Sequence, residues 1–202
     1  DLDNKDADIL APAYDAMKER NILTALTSAE TIADLPEEYV GTGTKIYYKL
    51  YNNNVLPFKL YESNGDEYEE SLEVKSYDSH GNPTEIIDLK TGIHSVYLWD
   101  EDGRYMIAMI NDADLSQIEN IPLLLAASSQ ARHAMLQERF PKSQVQTWYY
   151  KPLVGVSTFT DINGQTILYE YDGLGRLKSE NRIVNGKTTS DTIHKYEYNY
   201  KN

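Results

Sequence analysis

Cysteine is absent from the chain, which removes disulfides, thiol catalysis and thiolate metal sites from consideration. That absence fits an exported bacterial protein as well as a cytosolic one. Long apolar runs are also missing: no stretch approaches the roughly 20 residues of a membrane span. The acidic start Asp1-Leu2-Asp3-Asn4-Lys5-Asp6 has no cationic-then-apolar leader pattern, so the chain is expected to be mature or truncated at its beginning. Positive charge is scarce. Lys plus Arg number 19 against 32 Asp plus Glu, a net charge of −13, and such a field repels phosphate backbones and anionic headgroups. Neither nucleic acid nor membrane insertion is expected. Phe and Trp are few, at three and two, whereas Tyr reaches seventeen. Tyrosine can be half buried with its hydroxyl still in water, which suits a sheet with one wet face.

The remaining composition is that of a folded chain, with 202 residues, 41% of them hydrophobic, enough for one full core or two small ones. Asp6 or Asp8 is placed to cap a helix over 9–20, with Ile9, Leu10, Tyr14 and Met17 on one face and Pro12 in the first turn. Residues 27–43 read as a strand-containing connection. From residue 44 the pattern alternates, with Ile46, Tyr48 and Leu50 on one face and Lys45, Tyr47, Lys49 and Tyr51 on the other. Asn52-Asn53-Asn54 makes a turn, and Pro57 marks the returning strand as an edge or bulged one. Further strands are expected over 67–77, 84–89, 94–99 and 105–110. The meander breaks over 112–140, where Leu115, Ile118, Ile121, Leu124, Ala127, Ala131, Met135 and Glu138 recur three or four apart. This predicts two helices, the first capped by Asp114 or Ser116, the second by Asn120, with Pro122 in the second helix's first turn and Pro141 after its end. Strands resume over 144–150, 154–160, 165–171, 177–183 and 192–200, with Tyr196, Tyr198 and Tyr200 on one face of the last. The expected segments are 1–43 (helix and connection on the sheet), 44–110 (first meander), 111–143 (helical insertion) and 144–202 (second meander), together one continuous structural domain. The expected fold is mainly β, a twisted, partly curled antiparallel meander of hairpins with an N-terminal helix and a two-helix insertion.

One short frame returns along the chain. Its copies are Tyr61-Glu62-Ser63-Asn64-Gly65-Asp66, Tyr77-Asp78-Ser79-His80-Gly81-Asn82, Trp99-Asp100-Glu101-Asp102-Gly103-Arg104, Thr160-Asp161-Ile162-Asn163-Gly164-Gln165 and Tyr171-Asp172-Gly173-Leu174-Gly175-Arg176. Each part has a physical role: the acid accepts from turn amides, the glycine supplies positive φ, and the ring packs on a neighbouring strand. Function is expected on the face that such hairpins display together.

The frame resembles the YD repeat, also called the RHS repeat, of large bacterial surface and secreted proteins and of the animal teneurins. The resemblance is best at Tyr171-Asp172-Gly173-Leu174-Gly175-Arg176-Leu177. It extends through Lys151-Pro152-Leu153-Val154-Gly155-Val156-Ser157 and the closing Tyr196-Glu197-Tyr198-Asn199-Tyr200-Lys201-Asn202. It implies a strip of β-hairpins that in complete members curls into a hollow shell, used in toxin packaging, cell-surface contact or carbohydrate binding. It also implies an extracellular or cell-surface location, with upstream repeats of the same polypeptide as partners. This chain departs from the family in having about five copies, irregular spacing and a helical interruption. It also lacks the Asp-Pro-x-Gly self-cleavage signature.

Other chemistry is sparse. His80, His94, His133 and His194 have no metal-ligand spacing, and no cofactor is expected. Ser128-Ser129 with His133 reads as a polar helix surface, since no nucleophile elbow accompanies it. Glu67, Glu69, Glu70 and Glu73 are the candidate carboxylates of a polysaccharide hydrolase, against their reading as a solvated face. Asp100-Glu101-Asp102 and the Asp161 turn offer oxygens for weak calcium binding. Trp148, Tyr149 and Tyr150 form the candidate ligand surface for a glycan or surface protein, beside their structural role in pairing strands. The expected function is a non-catalytic structural and binding module. The alternatives are a hydrolase or the end plug of a toxin-enclosing shell.

Overall fold

The computed structural model describes residues 7–22, 28–33, 40–64, 67–119, 121–184 and 187–198. The chain divides into two compact units, 1–94 and 95–202.

In the first unit, helix α1 (Ala7–Glu19) buries Leu10, Ala13, Ala16 and Met17, a stripe at helical spacing, while Ile9 is 40% exposed. The helix starts earlier than the sequence suggests, so Pro12 lies in its second turn, where it withholds a backbone donor. Asp8 sits within the first turn instead of capping it, and Asp6 lies outside the described residues. Asn21, at φ +54°, ends the helix, with the Ile22 amide donating to the Met17 carbonyl at 2.9 Å.

Strands β1 (Ser28–Ala33), β2 (Val40–Tyr51), β3 (Asn54–Asn64), β4 (Tyr68–Tyr77) and β5 (Pro83–Asp88) pair antiparallel in chain order. Asn52 and Asn53, at φ +45° and +68°, form the two-residue turn between β2 and β3, the arrangement whose twist matches the strands it joins. Tyr48, with Ile46, Leu50 and Val55, packs against Ala13 and Met17 of α1. Strand β3 is internal and bulged: Tyr47 faces Lys59, and Tyr48 faces Pro57, so Phe58 is the extra residue. Pro57 stands beyond the β4 ladder, which begins at Lys59, and its missing N–H therefore breaks no bond there.

In the second unit, β6 (His94–Trp99, its first residue shared with the preceding unit), β7 (Met106–Asn111), β8 (Gln144–Lys151), β9 (Gly155–Thr160), β10 (Thr166–Tyr171), β11 (Leu177–Val184) and β12 (Lys187–Lys195) also pair antiparallel in chain order. The fold is thus mainly β, a meander of hairpins with an N-terminal helix and a helical insertion, as the sequence predicts.

The insertion differs in detail. The first expected helix is a single 3-10 turn, Leu115–Gln117, closed by a reciprocal capping box between Asp114 and Gln117. The second is broken: α2 (Ile121–Ala126) stops and Ser128 caps α3 (Ser129–Arg139), its hydroxyl accepting from the Ala131 amide. Pro122 does lie in the first turn of α2; Asn120 lies outside the described residues. The core gathers Val96, Leu98, Ala108, Ile110 and Val145 of the sheet with Leu124, Leu136 and Phe140 of the insertion.

Strand β12 is displaced toward the N-terminus from the expected 192–200. Its ladder with β11 slips twice near Asn181, and beyond Lys195 the tyrosines act as individual pins. The Tyr196 hydroxyl donates to Glu180 at 2.7 Å and that of Tyr198 to the Leu177 carbonyl at 2.9 Å. Tyr200 lies outside the described residues.

Candidate functional site

The recurring frame makes one device four times. At Asp78, Asp161 and Asp172 the side-chain Oδ1 accepts from the amides two and four residues on: His80 and Asn82, Asn163 and Gln165, Leu174 and Arg176, all at 2.8–3.0 Å. At Asp100 the donors are Arg104 and Tyr105, at 2.7 and 3.1 Å. In every copy the glycine amide (Gly81, Gly103, Gly164, Gly175) donates to the aspartate's own carbonyl. The carboxylate therefore satisfies amides that the tight turn would leave unpaired. One carboxylate oxygen, Oδ1, of each of the candidate cation ligands Asp100 and Asp161 is committed to these amides.

The two arginines of the frame diverge. Arg176 donates through Nε to Asp172 at 2.8 Å and lies over the Tyr198 ring at 4.3 Å. Arg104 reaches only Asp102, in an exposed pair at 3.7 Å. Bonding from the Arg176 side chain, then from backbone amides, holds the Asp172 carboxyl below its ordinary value of 3.8. The turn's contribution to stability is therefore fully present above that value and is lost as the pH falls through the lowered one.

Two assignments change. Glu62 is not a turn acid: it lies within β3 opposite Glu69, and its Oε2 accepts from Ser71 at 2.8 Å and Lys90 at 3.0 Å. Gly65 and Asp66 lie outside the described residues. A further turn escaped the frame: Asp88 accepts from the amides of Lys90 and Thr91, with Gly92 at φ +73°. It is one residue longer and has no aromatic before it, and x-Asp followed by Gly four on is the signal that would have found it.

The rings also serve the framework. Tyr77 and Tyr171, at the ends of β4 and β10, donate to the carbonyls of Pro57 and Val156 on the strands beside them, at 2.6 and 2.8 Å. The expected surface of Trp148, Tyr149 and Tyr150 is divided. Trp148 stacks on Phe159 at 5.3 Å and Tyr150 on Tyr105 at 4.6 Å, leaving Tyr149, 49% exposed, as the ring most open to a ligand. Trp148→Ala is expected to lower the unfolding free energy by about 1–3 kcal/mol and Tyr149→Ala by less than about 0.5 kcal/mol, read by urea denaturation.

The glutamates are dispersed. Glu70 accepts from the Tyr61 hydroxyl at 2.7 Å and Lys59 at 3.2 Å, and Glu73 from Lys75 at 3.1 Å. Glu69 and Glu70, adjacent on β4, project to opposite faces.

The least foreseen feature is the seat of α3. Ser129 and His133, expected with Ser128 on a polar helix surface, are buried with Arg132, Leu136 and Phe140, whereas Ser128 and Ala131 are exposed. Their spacing of three and four was the available signal, concealed because the inward face is polar. Arg132, 1% exposed, donates to five carbonyls: Leu124, Leu125 and Ala127 around the end of α2, and Ile107 and Trp148 just past the end of the β7–β8 ladder. Burial draws its guanidinium down to about 10, so it remains cationic at neutral pH. Beside it, the buried face of the sheet turns from aliphatic to hydroxyl. Thr147 donates to the Ser129 carbonyl at 2.6 Å, Thr158 meets the Ser129 hydroxyl at 2.6 Å, and Thr160 meets Thr166 at 2.9 Å. This arrangement satisfies polar groups internally; a nucleophile would have to leave it to react.

Fold and site together define a mainly β protein of antiparallel hairpins closed by Asp/Gly turns, with a helical insertion riveted by one arginine. No protein-family model and no curated protein matches the chain. Among solved structures, 89% of the chain is similar to a chain in the crystal structure of TcdB2-TccC3-Cdc42, at 10% identity and a TM-score of 0.47. The chain spans about a tenth of that chain's length. Among the described residues, no helix is long and apolar enough to cross a membrane.

Proposed function

We propose that this chain is a non-catalytic scaffold of the YD-repeat type, part of an extracellular or cell-surface protein, which displays a sheet face to a glycan or protein partner. The observation that carries the reading is the fourfold turn, in which Asp78, Asp100, Asp161 and Asp172 each spend a carboxylate on backbone amides. A carboxylate so engaged is a folding element and a poor general acid or base. Hairpins closed in this way can be added in series, and upstream repeats of the same polypeptide are the first partners the reading supplies. Tyr149 is the ring through which this unit would touch a ligand. The test incubates the purified chain with immobilised bacterial surface polysaccharides and measures both retention and reducing-sugar release. Retention without release, weakened by Tyr149→Ala, is the expected result; release of reducing sugar contradicts the reading.

A further inference from the structure

Four histidines lie in the chain, and one is placed unlike the rest. His80 is half exposed beside Asp78, His94 accepts or donates at 2.8 Å to Glu85, and His194 lies on the exposed end of β12. His133 is 7% exposed on the inward face of α3, and its Nε2 has no hydrogen-bond partner among the described residues. Its ring closes over the Asp161 turn: the Cε1 atom lies 3.5 Å from where a side chain on Gly164 would begin.

From this geometry we infer that His133 is an acid-sensitive latch, which seats the helical insertion on the β9–β10 turn while its ring is neutral and loosens that seat when the ring takes a second proton. A charged ring would need both nitrogens solvated or bonded in a place that water does not reach. The groups that bear on it are few. On its own helix the cationic neighbour Arg132 is committed to backbone carbonyls. From β8 the Val145 carbonyl approaches, and from the β9–β10 turn the Asp161 carbonyl and carboxylate. Burial is the largest influence and pushes the ring's pKa down from 6.5; the two carbonyls and the Asp161 charge oppose it and do not prevail. The sign follows. A base whose folded pKa is depressed binds fewer protons in the folded state than in the open one. The closed form is therefore unweakened above the ordinary value and loses ground as the pH falls through 6.5 toward the lowered one.

The test has two readouts on the full chain. Imidazole resonances in the wild type should give His133 a titration midpoint below 6.5. Amide exchange over 121–143, corrected for its intrinsic pH dependence, should rise severalfold from about pH 7.5 to about pH 5, because the open form gains protons that the closed form resists. It should rise far less in His133→Phe. A His133 midpoint at or above 6.5, or an equal rise in the variant, overturns the inference. Should His133→Phe fail to fold, the wild-type titration alone decides.

Discussion

Arg132→Met is expected to lower the unfolding free energy of the second unit by about 3–5 kcal/mol, since several buried carbonyls lose a charged donor and each left unsatisfied costs about 1–3 kcal/mol before relaxation. Methionine fills a similar volume, so the loss measures polar bonding more than packing. Five carbonyls lose their donor together, three around the end of α2 and two where β7 and β8 part. Ile107 and Trp148 lie one step beyond the last β7–β8 pair, Ala108 with Thr147, and a buried acceptor left unpaired costs more than a lost bond alone. Urea unfolding of Arg132→Met beside Arg104→Met reads the effect. Arg104 is exposed, and its variant should stay within about 0.5 kcal/mol of the parent. Equal behaviour of the two would remove Arg132 from the centre of the fold.

Gly164→Val and Gly175→Val should differ, although the two glycines hold nearly the same backbone conformation, φ +77° and +75°, in the same turn. At both positions a β-branched residue pays the strain of left-handed backbone, about 1–3 kcal/mol. At Gly175 nothing lies within 4 Å of the added carbon, whereas at Gly164 the His133 ring already stands at 3.5 Å. The γ-methyls of valine would have to displace that ring and with it the seat of α3. We expect Gly164→Val to lose at least about 1 kcal/mol more than Gly175→Val, the ordinary cost of overpacking a filled site. Matched losses would mean that the turn does not press on His133.

The sequence spoke clearly where the physics is local. Asp172 and Gly175 lie three residues apart and act on amides between and just beyond them, so the turn can be read from six letters. Asn52-Asn53 is legible for the same reason. The alternation of Ile46, Tyr48 and Leu50 gave the face that meets α1, because an apolar helix stripe packs on it. Legibility failed where burial is polar. Ser129, Arg132 and His133 look like a solvated face by residue type, and only the carbonyl ends and threonine hydroxyls opposite them make burial tolerable. The expected stripe through Ala127, Ala131 and Glu138 consequently fell beside the true one. The end of β12 was hidden for a different reason. Tyr196 and Tyr198 alternate as a strand would, yet the ladder to β11, already slipped twice near Asn181, has its last pair at Lys195, opposite Ser179. The candidate ligand surface divided because rings adjacent in sequence found partners on different strands, Phe159 for Trp148 and Tyr105 for Tyr150.

The central claim is that the recurring aspartate is a folding device. Its most direct measurement replaces Asp78, Asp100, Asp161 and Asp172 by alanine one at a time and records the urea midpoint of each variant. The account predicts that each midpoint falls, and that the amides of Asn82, Arg104, Gln165 and Arg176 lose exchange protection in the matching variant. Midpoints and protection that stay at the parental values would contradict it.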